Sequence, residues 1–211
     1  GSIGSEDELD CPEGIGIGPD GTLFVVNFLK STLSRFDTAS GAFLGSCGRA
    51  RALAPGLAPV PTSHGLQGHE DLAFDLDGHV HVTAYYENLV LKFNSSSGAL
   101  LKTYGFGVLH GPVGIACGPD DGNMFVSSYR ESKVLRFSAN GLFLGVAGGD
   151  EGDIAAATPR RVLSSPTGLA FDPHDGTLHV LSYLSGAITR FNTSTAGLSV
   201  GGGRRAWRVN V

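Results

Sequence analysis

The 211-residue chain predicts an all-β fold of the propeller type, and three observations carry that expectation. One strand–turn–strand unit recurs four times in register. Each copy reverses at an Asp-Gly-type turn or a close variant of it. The second strand of each copy is almost continuously apolar. "GIGIGPDGTLFVVNF" from Gly14 returns as "DLAFDLDGHVHVTAYY" from Asp71, "GIACGPDDGNMFVSSY" from Gly114 and "GLAFDPHDGTLHVLSY" from Gly168. Internal repetition at such spacing marks a repeat architecture.

The openings are 57, 43 and 54 residues apart, yet the distance from each to Phe36, Phe93, Phe137 and Phe191 is 22, 22, 23 and 23. The extra residue falls in the first turn ("PDDGN" and "PHDG" against "PDG" and "LDG"), where a hairpin absorbs it. The first strand is short and built of glycine and small apolar residues, as a crowded axis demands. The second strands, "LFVV", "VHVT", "MFVS" and "LHVL", read as covered on both faces. The third strands alternate and carry Arg35, Lys92, Arg136 and Arg190, a column read as solvated or blade-bridging. "SG" or "NG" turns lead to fourth strands "AFLGSCG", "ALLKTYG" and "LFLGVAG", with the weaker "AGLSVGG" in the last copy. Four antiparallel strands repeated every 40–50 residues or so is the pattern of propeller blades; a sandwich or a sheet solenoid is the alternative.

The reading is of a single domain, 1–211, with blades over about 11–48, 68–105, 111–149 and 165–200. Insertions at 49–67 and 150–164 separate blades, the second with one short helical turn. Four blades can close a ring or leave an arc whose unpaired edges invite self-association. Closure calls on the ends of the chain, residues 1–10 or "RAWRVN", to add a strand.

Composition narrows the function. With 41% hydrophobic residues and 32 glycines the chain is folded and turn-rich. A net charge of −5 and the lack of a basic face argue against nucleic acid. No apolar run is long enough to span a membrane as a helix, and no charged-then-apolar opening resembles a signal peptide. An extracellular setting is favoured over a cytoplasmic one, and Asn94 and Asn192 open N-x-S sequons that matter only in a secreted chain. Cys11, Cys47 and Cys117 lack metal-binding spacing and read mainly as buried small hydrophobes, with a Cys11–Cys47 disulfide as the alternative.

"CPEGIGIGPDGTLFVVNFLKSTLSRFD" and "GPVGIACGPDDGNMFVSSYRESKVLRFSANGLFLG" resemble NHL repeats: a Pro-x-Gly opening, a DG turn, an apolar strand, a polar loop, then phenylalanine and a glycine-led outer strand. The resemblance covers about residues 11–198, departing where "HED" replaces Pro-x-Gly. It implies a propeller, and it leaves function open among scaffolds, RNA binders, lyases and hydrolases.

Two columns of residues reach the face where first strands begin and second strands end. The middle residues of the opening triplets are Glu13, Glu70, Val113 and Thr167. The loops after the second strands bring Phe28, Tyr85 with Tyr86, Tyr129 beside Arg130, and Tyr183. The aromatics read either as a platform for a protein or small-molecule ligand or as spacers packed between blades. Glu13 and Glu70 could share Ca²⁺, an ion that takes oxygen ligands; similarity to gluconolactonase-like propellers points the same way. Similarity to peptidyl-hydroxyglycine amidating lyases implies Zn²⁺ on histidines at first-strand openings, here His69 and His110, with His64 in the preceding loop. His81 and His179 stand in the column of Phe24 and Phe125 and read as packing residues. No nucleophile or phosphate-loop motif is present. A binding or scaffolding module on this face is the expectation, with a metal-assisted hydrolase or lyase as the rival.

Overall fold

The computed structural model describes residues 2–47, 68–148, 163–193 and 207–210. They form four antiparallel sheets of four strands each, so the all-β propeller reading holds. The only helical element among the described residues is a 3₁₀ turn at Tyr129–Glu131. The insertions, apart from Leu163 and Ser164, lie outside the described residues, as does the helical turn expected in the second of them. The chain divides into two compact units, residues 1–112 and 113–211.

The first unit holds blade one, β1 (Pro12–Ile17), β2 (Thr22–Asn27), β3 (Thr32–Asp37) and β4 (Phe43–Cys47), and blade two, β5 (His69–Phe74), β6 (Val80–Ala84), β7 (Leu89–Phe93) and β8 (Leu100–Tyr104). Side chains alternate across a strand, so each blade has two flat faces. On β1, Gly14, Gly16 and Gly18 face blade two: a Cβ on Gly14 would lie 2.8 Å from the Asp71 Cα, and one on Gly16 would lie 2.6 Å from the Leu72 side chain. Leu72 and Phe74 lie over this glycine row, with Phe74 edge-on to Phe24 at 5.3 Å. Phe24, Val26 and Leu33 of blade one and Val80, Val82, Leu91 and Phe93 of blade two complete one core. Below, the side of a blade that carries the small-residue row of its first strand is called trailing, and the opposite side leading.

The second unit repeats the arrangement with blade three, β9 (Pro112–Cys117), β10 (Met124–Ser128), β11 (Lys133–Phe137) and β12 (Phe143–Gly148), and blade four, β13 (Pro166–Phe171), β14 (Thr177–Ser182), β15 (Ala187–Asn192) and β16 (Trp207–Asn210). A Cβ on Gly114 would meet the Thr167 carbonyl oxygen at 2.0 Å. Phe171 stands edge-on to Phe125 at 5.1 Å, in a core with Val134, Leu169, Leu178 and Val180. The fourth strand of this sheet is a correction to the sequence reading. It is Trp207–Asn210, paired with Ala187–Arg190, and "AGLSVGG" from Ala196 lies outside the described residues.

The turn chemistry is as expected. Gly21, Gly78, Gly122 and Gly176 close the first turns at φ of 65° to 83°, a left-handed conformation that costs glycine least. The basic column does two things. Arg35 bridges blades, donating to the Ser96 carbonyl at 2.8 Å. Arg136 and Arg190 pair instead with the turn carboxylates Asp121 and Asp175 of their own blades. Lys92 reaches Asp75 at 2.7 Å, both side chains buried.

Asp75 anchors a closed polar network. Its carboxylate also meets His81 Nε2 at 3.1 Å and accepts from the His79 amide at 2.8 Å, while His81 Nδ1 and the Tyr104 hydroxyl share a hydrogen bond of 2.8 Å. Burial pushes His81 below the ordinary histidine range, with only partial compensation from Asp75. Burial acts to raise Asp75, but the His81, Lys92 and His79 hydrogen bonds hold it well below the usual carboxylate range. Thus His81 packs as expected, and it does so as part of an ion-pair network.

Two predictions follow from this network. Asp75→Asn breaks the buried pair with Lys92 and is expected to cost about 3 kcal/mol, the scale for such a loss, read as a shift in urea midpoint. Across both titrations the folded state binds fewer protons than the unfolded chain, so stability falls as pH drops, first below about 6.5 through His81 and then below about 4 through Asp75. His81→Phe, which copies the residue at positions 24 and 125, should flatten the first of these losses in thermal melts between about pH 7 and 5.

Candidate functional site

The loop ends of the strands are shaped by a recurring backbone device. A residue in the left-handed region precedes every first strand: Cys11 (φ 51°), Gly68 (77°), Gly111 (62°) and Ser165 (50°). A register shift then follows in β1, β5 and β13, between Pro12 and Ile15, His69 and Leu72, and Pro166 and Leu169. Bulges of this kind re-aim a side chain out of the ladder. The residues released are the expected column, Glu13, Glu70 and Thr167.

In the first unit a string of backbone hydrogen bonds ties the two columns together. Phe28 N–H donates to the Cys11 carbonyl, Gly68 N–H to the Phe28 carbonyl, and Tyr85 N–H to the Gly68 carbonyl, at 3.0, 3.2 and 2.8 Å. The aromatics it positions touch: Phe28 and Tyr86 are 6.0 Å apart by ring centroid, and Tyr85 and Tyr86 5.1 Å, nearly perpendicular. Tyr86 is exposed, and Leu29 beside Phe28 is exposed as well. In the second unit Tyr129 and Tyr183 are 6.4 Å apart; Tyr183 is 70% exposed, and Arg130 is exposed on the 3₁₀ turn. The rings of the first unit thus pack edgewise on one another, while Tyr129 and Tyr183 are tilted at 48°.

The acidic column has uneven electrostatics. Glu13 is exposed, while Glu70 is half-buried. Burial, and after it the charges of Glu13 and Asp71, push the Glu70 carboxyl up to about 7. The structure thus brings the two glutamates within electrostatic reach. His110 is exposed, and the side chain of His69 lies outside the described residues. His64 lies outside the described residues. Among the described residues no three or more His, Cys, Asp or Glu group as a metal cage.

Cys11 is exposed, contrary to the reading of the cysteines as buried. Desolvation and the neighbouring Glu13 raise its thiol above the ordinary value, which disfavours the nucleophilic thiolate. Cys47 is buried, with its thiol pushed up to about 11 by that burial, and no disulfide joins it to Cys11. The polar feature that sequence reasoning missed is Asp75. Its signal was a carboxylate after Phe74, where two other copies carry Gly18 and Gly118.

No protein-family model matches the chain, and no curated protein matches it in sequence. Solved structures do match it in fold. A virginiamycin B lyase from Staphylococcus aureus aligns with all of this chain at a TM-score of 0.67 and 15% identity. A chain of a nidogen/laminin complex aligns with 96% of it at 0.72 and 15%. RRP9 WD40 repeats align with 89% of it at 0.64 and 14%. These are β-propeller proteins, and at such identity the likeness shows the fold alone. The chain spans 58%, 66% and 48% of those three chains.

One measurement checks the electrostatics. A carboxyl raised in the folded state takes its proton more readily there than in the unfolded chain, so Glu70 costs stability as pH rises from about 4.5 to about 7. Glu70→Gln is therefore expected to raise the urea midpoint at about pH 8, by up to about 1 kcal/mol for a solvent-screened like-charge site, and to leave it unchanged at about pH 4.

Proposed function

We propose that the chain is a binding module of NHL-type blades that engages a protein or small ligand through its loop ends. The observation that carries this reading is the cluster of Phe28, Tyr85 and Tyr86, whose rings contact one another. It stands at the same strand ends as Glu13 and Glu70. Edge-packed aromatics lose little side-chain entropy on binding and supply large contact area, which is why Tyr anchors interfaces. Beside two carboxylates the same rings suit a cationic group, held by charge at its rim and by ring faces over its body. A basic peptide segment or a small organic cation is the ligand chemistry this implies. Among the solved neighbours, the nidogen/laminin complex and the WD40 protein lend the binding reading support by analogy of fold.

A second reading, a metal-assisted hydrolase or lyase on the same face, draws on one observation: Glu70 titrates near neutrality, where a general acid or base works best. The virginiamycin B lyase is its analogue in fold. The donor set found there is too small for a cation cage, so no metal-dependent step is derived.

Selection from a displayed random-peptide library tests the proposal. Basic, aromatic-compatible peptides should emerge. Their affinity should fall about tenfold or more in Tyr86→Ser, as at an aromatic hot spot, and fall with rising salt in the parent but less so in Glu13→Gln/Glu70→Gln. Selected peptides indifferent to all three substitutions would remove the loop face as the binding site. Calcium-dependent thermal stabilisation that the double glutamine variant abolishes would shift the assignment to the metal-assisted reading; a site held at 100 times its dissociation constant gives about 2.7 kcal/mol.

A further inference from the structure

We propose that Asn94 is the acceptor of an N-linked oligosaccharide, with the Ser96 hydroxyl as the second half of its recognition sequence. The site lies on the turn between β7 and β8. In blade one the Thr38 hydroxyl, inside the matching turn, donates to the Gly21 carbonyl at 2.9 Å. These turns therefore stand beside the first turns, at the strand ends opposite the aromatic and acidic columns, and the inference is independent of the loop-end reading.

Blade one separates what such a turn needs from what it does not. Its third and fourth strands are joined by "DTASG" (37–41), and those of blade two by "NSSSG" (94–98). The two turns are built alike. The Asp37 carboxylate accepts from the Ser40 amide at 2.7 Å and from its hydroxyl at 2.6 Å, and the Ser40 hydroxyl accepts from the Ala42 amide at 3.3 Å. Asn94 Oδ1 accepts from the Ser97 amide and hydroxyl at 2.8 and 3.0 Å, and the Ser97 hydroxyl accepts from the Ala99 amide at 3.3 Å. Gly41 and Gly98 close the turns at φ of 74° and 71°. One oxygen at the first position and one hydroxyl at the fourth are what the turn asks of its side chains.

Blade two adds two groups beyond that requirement. Asn94 Nδ2 takes the place of the second Asp37 oxygen, and the exposed Ser96 carries a hydroxyl where blade one has Ala39. Neither group has a hydrogen-bond partner among the described residues. The backbone beside them is held instead by blade one, where Arg35 donates to the Ser95 and Ser96 carbonyls at 3.4 and 2.8 Å. The two changes that the turn does not use are the two that complete an Asn-x-Ser acceptor. The same pair recurs in sequence at Asn192 and Ser194, where β15 ends. Blade three, with "SAN" (138–140), has neither the Asn nor the hydroxyl.

In the transfer, Nδ2 attacks the anomeric carbon of an oligosaccharide carried on a lipid diphosphate. The carbon–nitrogen bond forms as the bond from that carbon to the diphosphate oxygen breaks. The lipid diphosphate leaves with the electron pair, and one Nδ2 proton passes to a base of the transferase. Oδ1 is untouched, so the sugar and the turn coexist. The proposal carries with it passage through a secretory compartment, where such a donor resides.

Mass spectrometry of the protein isolated from the cells that produce it tests this. The peptide containing residue 94 should bear a glycan that peptide-N-glycosidase removes, leaving Asp at that position. In a eukaryotic secretory host the glycan should be lost in Asn94→Asp and in Ser96→Ala and kept in Ser96→Thr. The two loss variants copy residues of blade one, so each should melt with the deglycosylated parent. An unmodified Asn94 in the natural protein overturns the proposal, as does a glycan at Asn94 that survives Ser96→Ala.

Discussion

The structure depends on one packing arrangement, made once within each unit, in which an apolar pair from the first strand of one blade lies against a row of small residues on the blade before it. Leu72 and Phe74 on Gly14, Gly16 and Gly18 make this contact in the first unit, and Leu169 and Phe171 make its counterpart in the second. Burying a Leu and a Phe contributes about 1.5–3 kcal/mol each, but only if the strands come close. The glycines permit that approach. A side chain at Gly14 or Gly114 would strike backbone atoms of the following blade, so the residue type there is set by the backbone of the neighbour. The same requirement explains the apolar second strands, since each must line the core on both sides.

Polar groups are fitted into this apolar scheme only where the turns can neutralise them. The third strand brings a cation to the trailing face in every blade, and each is met by a different oxygen: the Ser95 and Ser96 carbonyls for Arg35, Asp75 for Lys92, Asp121 for Arg136, Asp175 for Arg190. Burial decides the consequence. Asp175 and Arg190 are both substantially exposed, where an ion pair contributes little. Asp75 and Lys92 are enclosed, where removing one partner of a pair costs far more than at the surface. His81 completes that network in a place where blades one and three use phenylalanine, trading an apolar contact for an acid-sensitive one.

The blades were legible in the sequence because their determinants are local. An Asp-Gly turn specifies a hairpin within a few residues, and the burial of Phe24, Val80 and Phe125 follows from strand periodicity. The fourth strand of the last sheet was legible only as one of two end segments that could add a strand: "RAWRVN" contains Trp207–Asn210, which pairs with β15, while no turn signal of the Ser-Gly or Asn-Gly kind leads into it. The exposure of Cys11 escaped for a different reason. It sits in a left-handed position that two other blades fill with glycine, and a cysteine gives no composition cue for that. At the site, the two columns were readable from alignment of the copies, whereas the asymmetry between Glu13 and Glu70 was not. It arises from burial of one and not the other, which depends on how Glu70 and Asp71 lie against Gly14.

The bulge within β1, β5 and β13 separates what the fold needs from what the site can vary. Within the opening triplet, the third residue is confined by the next blade, as Gly14 shows against Asp71 and Gly114 against Thr167. The middle residue is turned out of the ladder by the register shift and has no such constraint. Glu13, Glu70, Val113 and Thr167 accordingly share a backbone position and little chemistry. The loop after the second strand behaves likewise: its backbone is fixed by hydrogen bonds such as Tyr85 N–H to Gly68 and Tyr183 N–H to Ser165, while its side chains differ from blade to blade. A face assembled this way is positioned by repetition and individualised by a few substitutions. On the binding reading proposed above, specificity would reside in the residues that break the repeat, the Glu13–Glu70 pair and the doubled tyrosine at 85 and 86.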